Sequence, residues 1–157
     1  MKRVAIFADV QNIYYTVKQS YRKHFNYHAF WTRATAGREV AAAFAYAIDK
    51  GDPKQREFQR ILSTIGFEVK LKPYILRSDG SAKGDWDVGI TLDAIEWAEK
   101  IDVVVLLSGD GDFDLLIDKI GTRYQVQTEV YGVPELTAPS LIHAADRFIP
   151  IEHDLLM

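Results

Sequence analysis

Apolar residues along the chain occur in two patterns, continuous blocks and stretches with helical spacing. Continuous β-branched and aliphatic blocks are typical of strands buried on both faces of a parallel sheet. The block Val103–Leu107 is the clearest of them. In 67–72 apolar and charged residues alternate instead, which predicts a half-exposed strand near a sheet edge. The predicted strands are 3–8, 40–47, 67–72, 103–107, 126–131 and 147–151.

Helices are predicted between these strands from apolar residues three or four positions apart. The first predicted helix begins after Asp9, and the second is 53–65. The third runs from 85 or 86 to about 100, and the last two are 115–121 and 138–145. Residues 25–37 are read as an inserted helix or an ordered loop. The helix before Val103 is expected to bury Val88, Leu92, Ile95 and Ala98, and the helix after Asp114 to bury Leu115, Leu116 and Ile120.

The alternation of strand and helix predicts a single domain spanning 1–157. We expect a three-layer α/β/α sandwich with a mostly parallel central sheet. The segment 40–47 is ambiguous because alanine favours helix, and we assign it as a strand because a helix follows immediately. Asp52 and Pro53 predict the start of that helix, and Gly66 its end.

The composition is that of an ordinary globular protein. The 157 residues are 48% hydrophobic and 26% charged. No apolar run approaches the roughly 18 residues that a membrane span needs, and the run after Arg3 is too brief for a signal peptide. We therefore expect a cytoplasmic protein without a membrane segment. Because the chain has no cysteine, any metal must be bound by oxygen or imidazole.

Charge is distributed unevenly along the chain. Residues 1–83 contain fifteen Lys and Arg against seven Asp and Glu, whereas residues 84–157 contain four against fifteen. These balances of +8 and −11 produce the net charge of −3. The asymmetry is typical of a protein that binds a polyanion with one half and a metal with the other, but surface charges can also simply fall unevenly.

Acidic residues lie at the ends of predicted elements. Asp9 ends the first strand, and Asp110 and Asp112 follow the strand 103–107. Asp87 lies at the start of a helix. Because an open parallel sheet places its ligand crevice beyond the carboxyl ends of its strands, we expect these side chains to converge. Crowded carboxylates repel one another, and hard oxygen ligands suit Mg²⁺ or Mn²⁺.

Structural roles compete with metal binding at several of these positions. Asp9 and Asp112 are each suited to cap the helix that follows, and Asp114 is expected to face solvent. Ser108 and Gly109 either permit a tight exit from the strand or present their amides to a substrate phosphate.

Three short blocks follow one another along the chain. They are Asp9-x-x-Asn12, then Lys83-Gly84 followed by Asp87-Val88 and Asp93, and finally Ser108-Gly-Asp-Gly-Asp-Phe113. In order and spacing they resemble the motifs of NYN-domain proteins, the LabA-like branch of the PIN-like nuclease superfamily. The segment Ser140–Phe148 also resembles the end of that domain, so the resemblance covers nearly the whole chain.

The resemblance implies a PIN-like fold and metal-dependent ribonuclease activity. It implies that Asp9, Asp87, Asp110 and Asp112 form an acidic cluster that binds Mg²⁺ or Mn²⁺. Asn12 would support Asp9 or contact a metal-bound water. PIN-like domains often pair, so a homodimer, with the edge strand 67–72 as one surface for it, is a further expectation.

The chain also departs from the pattern of the family. Either Asp85 or Asp87 points into the cleft, and the six-residue spacing to Asp93 favours Asp87. Asp93 lies about 240° around the helix from Asp87, so it is expected on another face. Many PIN nucleases carry a further acid on an earlier helix, and only Asn12 or Glu39 is available to replace it.

Substrate contacts are predicted from basic and aromatic residues. Lys83, on a polar loop beside the acids, is a candidate phosphate ligand. Tyr14, Tyr15 and Trp86 are candidates for stacking on RNA bases, although most such aromatics are ordinary packing. Basic residues that could line a track for a single strand are Lys18, Arg22, Lys23, Lys54, Arg56, Arg60, Lys70, Lys72 and Arg77.

Three functions compete at this point. The leading one is a metal-dependent ribonuclease that acts on single-stranded RNA. The second is a non-catalytic RNA-binding or protein-interaction module on the same fold. The third is a haloacid-dehalogenase-like phosphatase, which is disfavoured because Asp9-Val-Gln-Asn12 lacks the second aspartate expected two residues after the nucleophile.

Overall fold

The structure, a computed structural model, describes residues 1–73, 75–76, 82–83 and 85–157, the two short pairs by their backbone alone. The strands are β1 Lys2–Asp9, β2 Arg38–Asp49, β3 Glu68–Pro73, β4 Ile75–Leu76, β5 Ala82–Lys83, β6 Val103–Leu107, β7 Gln127–Gly132 and β8 Arg147–Pro150. The helices are α1 Val10–Tyr21, α2 Tyr27–Thr35, α3 Pro53–Ile65, α4 Asp87–Ala98, α5 Asp114–Arg123 and α6 Pro139–Ala144.

Six strands form one parallel sheet in the order β3-β2-β1-β6-β7-β8. The chain runs outward from β1 to β3, returns to β6 and then runs outward to β8. The strand order therefore reverses between β1 and β6. In an open parallel sheet such a reversal creates a crevice beyond the carboxyl ends of the two adjoining strands. β4 and β5 form a separate antiparallel pair.

Helices cover both faces of the sheet. Because crossovers between parallel strands are right-handed, connections that run in opposite directions place their helices on opposite faces. One face packs against α1, α2 and α3 through side chains such as Ile13, Phe30 and Leu62. The other face packs against α4, α5 and α6 through Ile90, Ile117 and Leu141. The predicted three-layer α/β/α architecture is confirmed.

The two ambiguous segments of the sequence have regular structure. The alanine-rich segment is β2, which lies between β1 and β3, and its residues 43–48 are buried. Burial on both faces therefore overrides the helical preference of alanine. The aromatic segment contains α2, whose Phe30 is buried against the ring of Tyr131.

Helix α3 begins and ends where the sequence predicts. The Asp52 side chain accepts a hydrogen bond from the Lys54 amide at 2.9 Å, and Pro53 occupies the first helical position. Gly66 ends the helix with φ of 140°, and a Cβ there would lie 2.6 Å from Cζ2 of Trp31. A side chain at this position would therefore disrupt both the backbone turn and the packing of Trp31.

The buried face of α4 agrees with the prediction at Ala98 and in part at Ile95, but not at Val88 and Leu92. Val88 and Leu92 are 69% and 66% exposed, whereas Ile90 and Ala94 are buried against the sheet. Apolar residues occur on nearly every side of this helix, so their spacing does not identify its core face. The same correction applies to Leu115, which is 80% exposed beside buried Leu116 and Ile117.

A buried ion pair connects the two halves of the sheet. The guanidinium of Arg38, at the start of β2, donates two parallel hydrogen bonds to the Glu129 carboxylate on β7, at 2.9 and 2.7 Å. The Glu129 side chain is only 2% exposed, and its hydrogen bond raises the pKa of Arg38. Arg38 also donates to the Ala34 carbonyl, which ties α2 to the same contact.

No helix in the described part of the chain has both the length and the apolar character required to cross a membrane.

Candidate metal centre

Three carboxylates meet at the crevice where the strand order reverses. Asp87 is the first residue of α4, and Asp110 and Asp112 follow β6 around the short 3-10 turn Gly111–Phe113. One carboxylate oxygen from each of them lies within 4.8 Å of the other two. The Asp110 side chain also accepts a hydrogen bond from the Asp112 amide at 2.9 Å, which fixes the turn that carries both acids.

A hydrogen-bond network joins this turn to the end of β1. Buried Asp9 accepts hydrogen bonds from the Asn12 amide at 3.4 Å and from the Ser108 hydroxyl at 3.1 Å. The Ser108 hydroxyl oxygen accepts in turn from the Asp110 amide at 3.2 Å. The Asn12 side chain accepts from the Gly109 amide at 2.9 Å. The first turn of α1 and the segment after β6 are therefore held together.

The crowding of acids raises two pKa values. Burial, and after it the charge of Asp110, raises the pKa of Asp87 to about 7. Burial also raises the pKa of Asp9 to about 6, although the hydrogen bonds from Asn12 and Ser108 oppose this effect. A carboxyl group with a pKa near 7 competes with its neighbours for protons at neutral pH. A divalent cation would relieve the same repulsion.

The donor set fits a hard cation. All three side chains supply carboxylate oxygens, which are the ligands that Mg²⁺ and Mn²⁺ prefer. Asp87 and Asp110 are half-buried and Asp112 is exposed, so the group is open on one side to a ligand from solvent. Asp87, Asp110 and Asp112 are therefore the residues that could hold an ion here.

Asp9 lies beside this group rather than within it. Its two carboxylate oxygens accept from Asn12 and Ser108, and its charge interacts with Asp110. Asp9 thus caps α1, and the hydrogen bonds favour a positioning role; its predicted role as a direct metal ligand stays a prediction. The backbone N–H of Asn12 donates to Asp9, and its side-chain oxygen accepts from the Gly109 amide; its predicted role in the site stays a prediction.

The neighbouring acids have other partners. The Asp85 carboxylate accepts from the Asp87 amide at 3.2 Å, so Asp87, not Asp85, contributes to the three-carboxylate group. Asp93 accepts from the Tyr46 hydroxyl and the Lys70 ammonium, both at 2.7 Å, on another face of α4. Asp114 accepts from the Leu115 amide. Glu39 lies opposite Arg3 in the backbone register of β1 and β2, at the other end of the sheet from the crevice, so it does not replace the missing acid.

The predicted phosphate contacts have different outcomes. The Ser108 amide donates to the Tyr131 carbonyl and the Gly109 amide to Asn12, so both are used within the protein. A Cβ at Gly109 would lie 2.9 Å from the Leu136 carbonyl oxygen. These contacts favour the tight-exit role of the two residues over phosphate binding. The side chain of Lys83 and most of the predicted loop 77–84 lie outside the described residues.

Sequence reasoning missed the contacts that hold the start of α4. The Trp86 indole donates to the Ala47 carbonyl at 2.9 Å. The Lys72 ammonium lies 4.4 Å from the centre of the Trp86 ring and donates to the Asp85 carbonyl at 3.1 Å. Trp86 therefore packs rather than presenting a free ring to a base. The only signal in the sequence is a tryptophan directly before the helix that carries Asp87.

The fold and the cluster together define a class of protein, a parallel α/β domain with an acidic centre at the reversal of strand order. The NYN domain model matches residues 3–152, and the chain belongs to the NYN domain family. The predicted membership in the LabA-like, PIN-like group and the PIN-like fold are confirmed.

The chain is similar to proteins from three bacteria. It is 29% identical over 160 residues to the low amplitude and bright protein LabA of Synechococcus elongatus, covering 95% of this chain and 83% of that protein. The crystal structure of a protein of unknown function from Vibrio parahaemolyticus is 58% identical, with a TM-score of 0.95, covering 99% of this chain and 96% of that one. A carbohydrate kinase from Agrobacterium tumefaciens, at 12% identity and a TM-score of 0.53 over 94% of this chain and 60% of its own, shares the fold alone.

Proposed function

We propose that the protein is a ribonuclease that hydrolyses phosphodiester bonds in RNA with Mg²⁺ or Mn²⁺ held by Asp87, Asp110 and Asp112. The observation that carries the proposal is the group of three carboxylates, within 4.8 Å of one another, at the crevice of an NYN domain. Membership in a superfamily of PIN-like nucleases supports the reaction class, and the geometry supports the site.

The residues of the chain have distinct parts in this reaction. When bound, a divalent cation supplies charge neutralisation for the phosphate and a water of lowered pKa. Asp87, Asp110 and Asp112 supply the negative charge that holds the cation. Asp9 and Asn12 position the segment after β6 through Ser108 and Gly109.

The charge distribution supports RNA as the substrate. Residues 1–83 carry an excess of eight positive charges, which attracts a phosphate backbone. The acidic cluster lies in the opposite half and would repel a phosphate, so a bound cation is needed there for the phosphate to approach. We assign single-stranded RNA because the crevice lies at the surface beside exposed helices, where a flexible strand can reach it.

The test is cleavage of labelled RNA by the purified protein with Mg²⁺ or Mn²⁺. Asp110→Asn should reduce the rate at least about 100-fold, equivalent to about 3 kcal/mol, because it removes a charged ligand. The variant keeps a side-chain oxygen for the Asp112 amide, so it should fold, and thermal melting checks this. Asp118→Asn, the same change at an exposed site on α5, is the matched control and should retain full activity.

Two results would contradict the proposal. Equal cleavage by Asp110→Asn and the original protein would mean that the reaction takes place elsewhere. RNA binding without cleavage under either metal would favour the non-catalytic module on the same fold.

A further inference from the structure

Helix α1 presents an exposed face of aromatic and basic side chains. Tyr15 and Lys18 are three positions apart and so lie on one side of the helix, and Arg22 follows as its C-cap with φ of 54°. Tyr15 is 53% exposed, and Tyr14 beside it is 46% exposed. We call the surface formed by Tyr14, Tyr15, Lys18 and Arg22 the α1 surface. Its exposed tyrosines are unusual in a helix that otherwise buries Val10, Ile13 and Val17.

The α1 surface begins next to the acidic cluster. Asp9 caps α1, and the Asn12 side chain in its first turn binds the segment that leads to Asp110. Tyr15 follows Asp9 by six residues, which places it about 9 Å further along the helix axis. From Tyr15 to Arg22 the α1 surface continues for about 10 Å away from the crevice.

The charge of the surface is of one sign. Residues 10–38 contain five Lys and Arg and no Asp or Glu. Lys18 and Arg22 are exposed, and neither forms a salt bridge with any residue that the structure describes. Lys18 donates a hydrogen bond to the Tyr14 hydroxyl at 3.4 Å, and neither cation is neutralised by a described carboxylate. Such cations are complementary to a phosphate backbone and not to an apolar or basic partner.

The tyrosine rings are arranged to remain at the surface. Tyr14 and Tyr15 contact each other edge to face with ring centres 5.4 Å apart, and the Lys18 ammonium lies 5.4 Å from the Tyr14 ring centre. Exposed rings interleaved with cations are the combination with which proteins bind single-stranded nucleic acid, because bases stack on the rings and phosphates pair with the cations.

We infer that the α1 surface binds the bases and phosphates of single-stranded RNA immediately beside the acidic cluster. The inference rests on the proposed function, since it takes the bound strand to continue into the crevice. It adds a binding site outside the carboxylate group, and it assigns the two cations to phosphates and Tyr15 to a base. The surface therefore sets the path of the strand, and the cluster acts on one phosphate of it.

The experiment measures binding separately from cleavage. Fluorescence anisotropy of a labelled, unstructured RNA of about twelve nucleotides, with Asp110→Asn as the parent protein, reports affinity without turnover. Lys18→Ala with Arg22→Ala should weaken binding at least about tenfold and reduce the slope of log affinity against log salt by about 1.4, at 0.7 for each lost phosphate contact.

A matched pair of cations on another helix provides the control. Lys119 and Arg123 on α5 have the same chemistry, the same spacing and exposed side chains, but they lie in the acidic half of the chain. Lys119→Ala with Arg123→Ala should change the affinity less than about twofold and leave the salt slope unaltered. If both pairs weaken binding equally, the attraction depends only on net charge and the inference fails.

Substitutions of Tyr15 test stacking. Tyr15→Ala should weaken binding about fivefold or more, whereas Tyr15→Phe, which keeps the ring, should bind like the parent. The α1 surface would be overturned if the parent protein does not bind the RNA, or if Tyr15→Ala and the double variant both bind it as tightly as the parent. If these variants lose binding as expected but the original protein does not cleave RNA, the proposed ribonuclease is overturned and the α1 surface is still supported as a binding site.

Discussion

At the scale of single residues, the unusual feature is the protonation of Asp87. The pKa of Asp87 is raised to about 7 by burial and by the charge of Asp110, so its carboxyl group is partly protonated near neutral pH when no cation is bound. A cation and that proton compete for the same oxygens. The affinity of the site for a metal is therefore coupled to pH in the neutral range.

This competition predicts that Mn²⁺ binding weakens as the pH falls below about 7. Each bound ion should release protons at about pH 6.5 and almost none at about pH 8.5, where Asp87 is already ionised. Calorimetric titration in two buffers of different ionisation enthalpy measures the protons released. Proton release that is the same at both pH values would be inconsistent with a shared site. Asp87→Asn, which has no carboxyl group to titrate there, should lose both the affinity and the pH dependence.

Asp9 leads to a second prediction, on stability in the absence of metal. Its pKa is about 6 in the folded protein and near 3.8 in the unfolded chain, so the folded state binds the proton more tightly. The contribution of Asp9 to stability is therefore present below about pH 4 and is lost as the pH rises through about 6. The free energy of unfolding of Asp9→Asn, minus that of the original protein, should therefore rise by up to about 3 kcal/mol between pH 4 and pH 8.

Urea unfolding in the presence of a chelator measures this difference. Asparagine keeps an oxygen for the Asn12 amide, so the cap of α1 is retained. Asp118→Asn, an exposed acid on α5, is the control and should follow the original protein at both pH values. A gain for Asp9→Asn that does not depend on pH would contradict the assigned pKa.

At the scale of elements, the strands could be predicted better than the faces of the helices. The block Val103–Leu107 is buried on both sides, so its sequence needs no periodicity to identify it. Helix α4 is apolar on several sides, and its orientation depends on the packing of Ile90 and Ala94 against a sheet formed by distant residues. The exposure of Val88 and Leu92 therefore required the tertiary structure.

The same distinction applies to the candidate site. The convergence of Asp87 with Asp110 and Asp112 could be predicted, because each lies at the end of an element facing one edge. The hydrogen bonds of Asp9 through Ser108, and the contacts of Trp86 with Ala47, connect residues that are tens of positions apart. No local pattern in the sequence indicates them.

The ion pair between β2 and β7 predicts a large stability effect. Arg38→Met leaves the buried Glu129 carboxylate without its partner and should reduce the free energy of unfolding by about 3–5 kcal/mol. Arg33→Met removes a comparable but exposed pair with Asp154 and should cost less than about 1 kcal/mol. Urea unfolding of both variants at neutral pH measures the contrast. Equal losses would mean that burial does not determine the energy of these pairs.

At the scale of the whole molecule, the uneven charge of the sequence is also uneven in space. Residues 1–73 form β1–β3 with α1–α3, and residues 85–157 form β6–β8 with α4–α6. The basic portion of the chain thus forms the half of the sheet from β3 to β1, and the acidic portion forms the half from β6 to β8. β1 and β6 are the border between the two halves. The candidate metal centre and the first turn of α1 both lie at this border, where the RNA that we propose as substrate would contact each side.

The central position of β1 has a consequence for synthesis of the protein. Its partner β2 follows closely in the sequence, but its other partner, β6, ends only at Leu107. At translation rates of about 5–20 residues per second, the nascent chain carries an unpaired β1 edge for several seconds after β2 has emerged. An open edge of a hydrophobic sheet is a template for mispairing with other chains. Pauses of the ribosome between Asp49 and Leu107 therefore extend the period in which the growing polypeptide depends on chaperones.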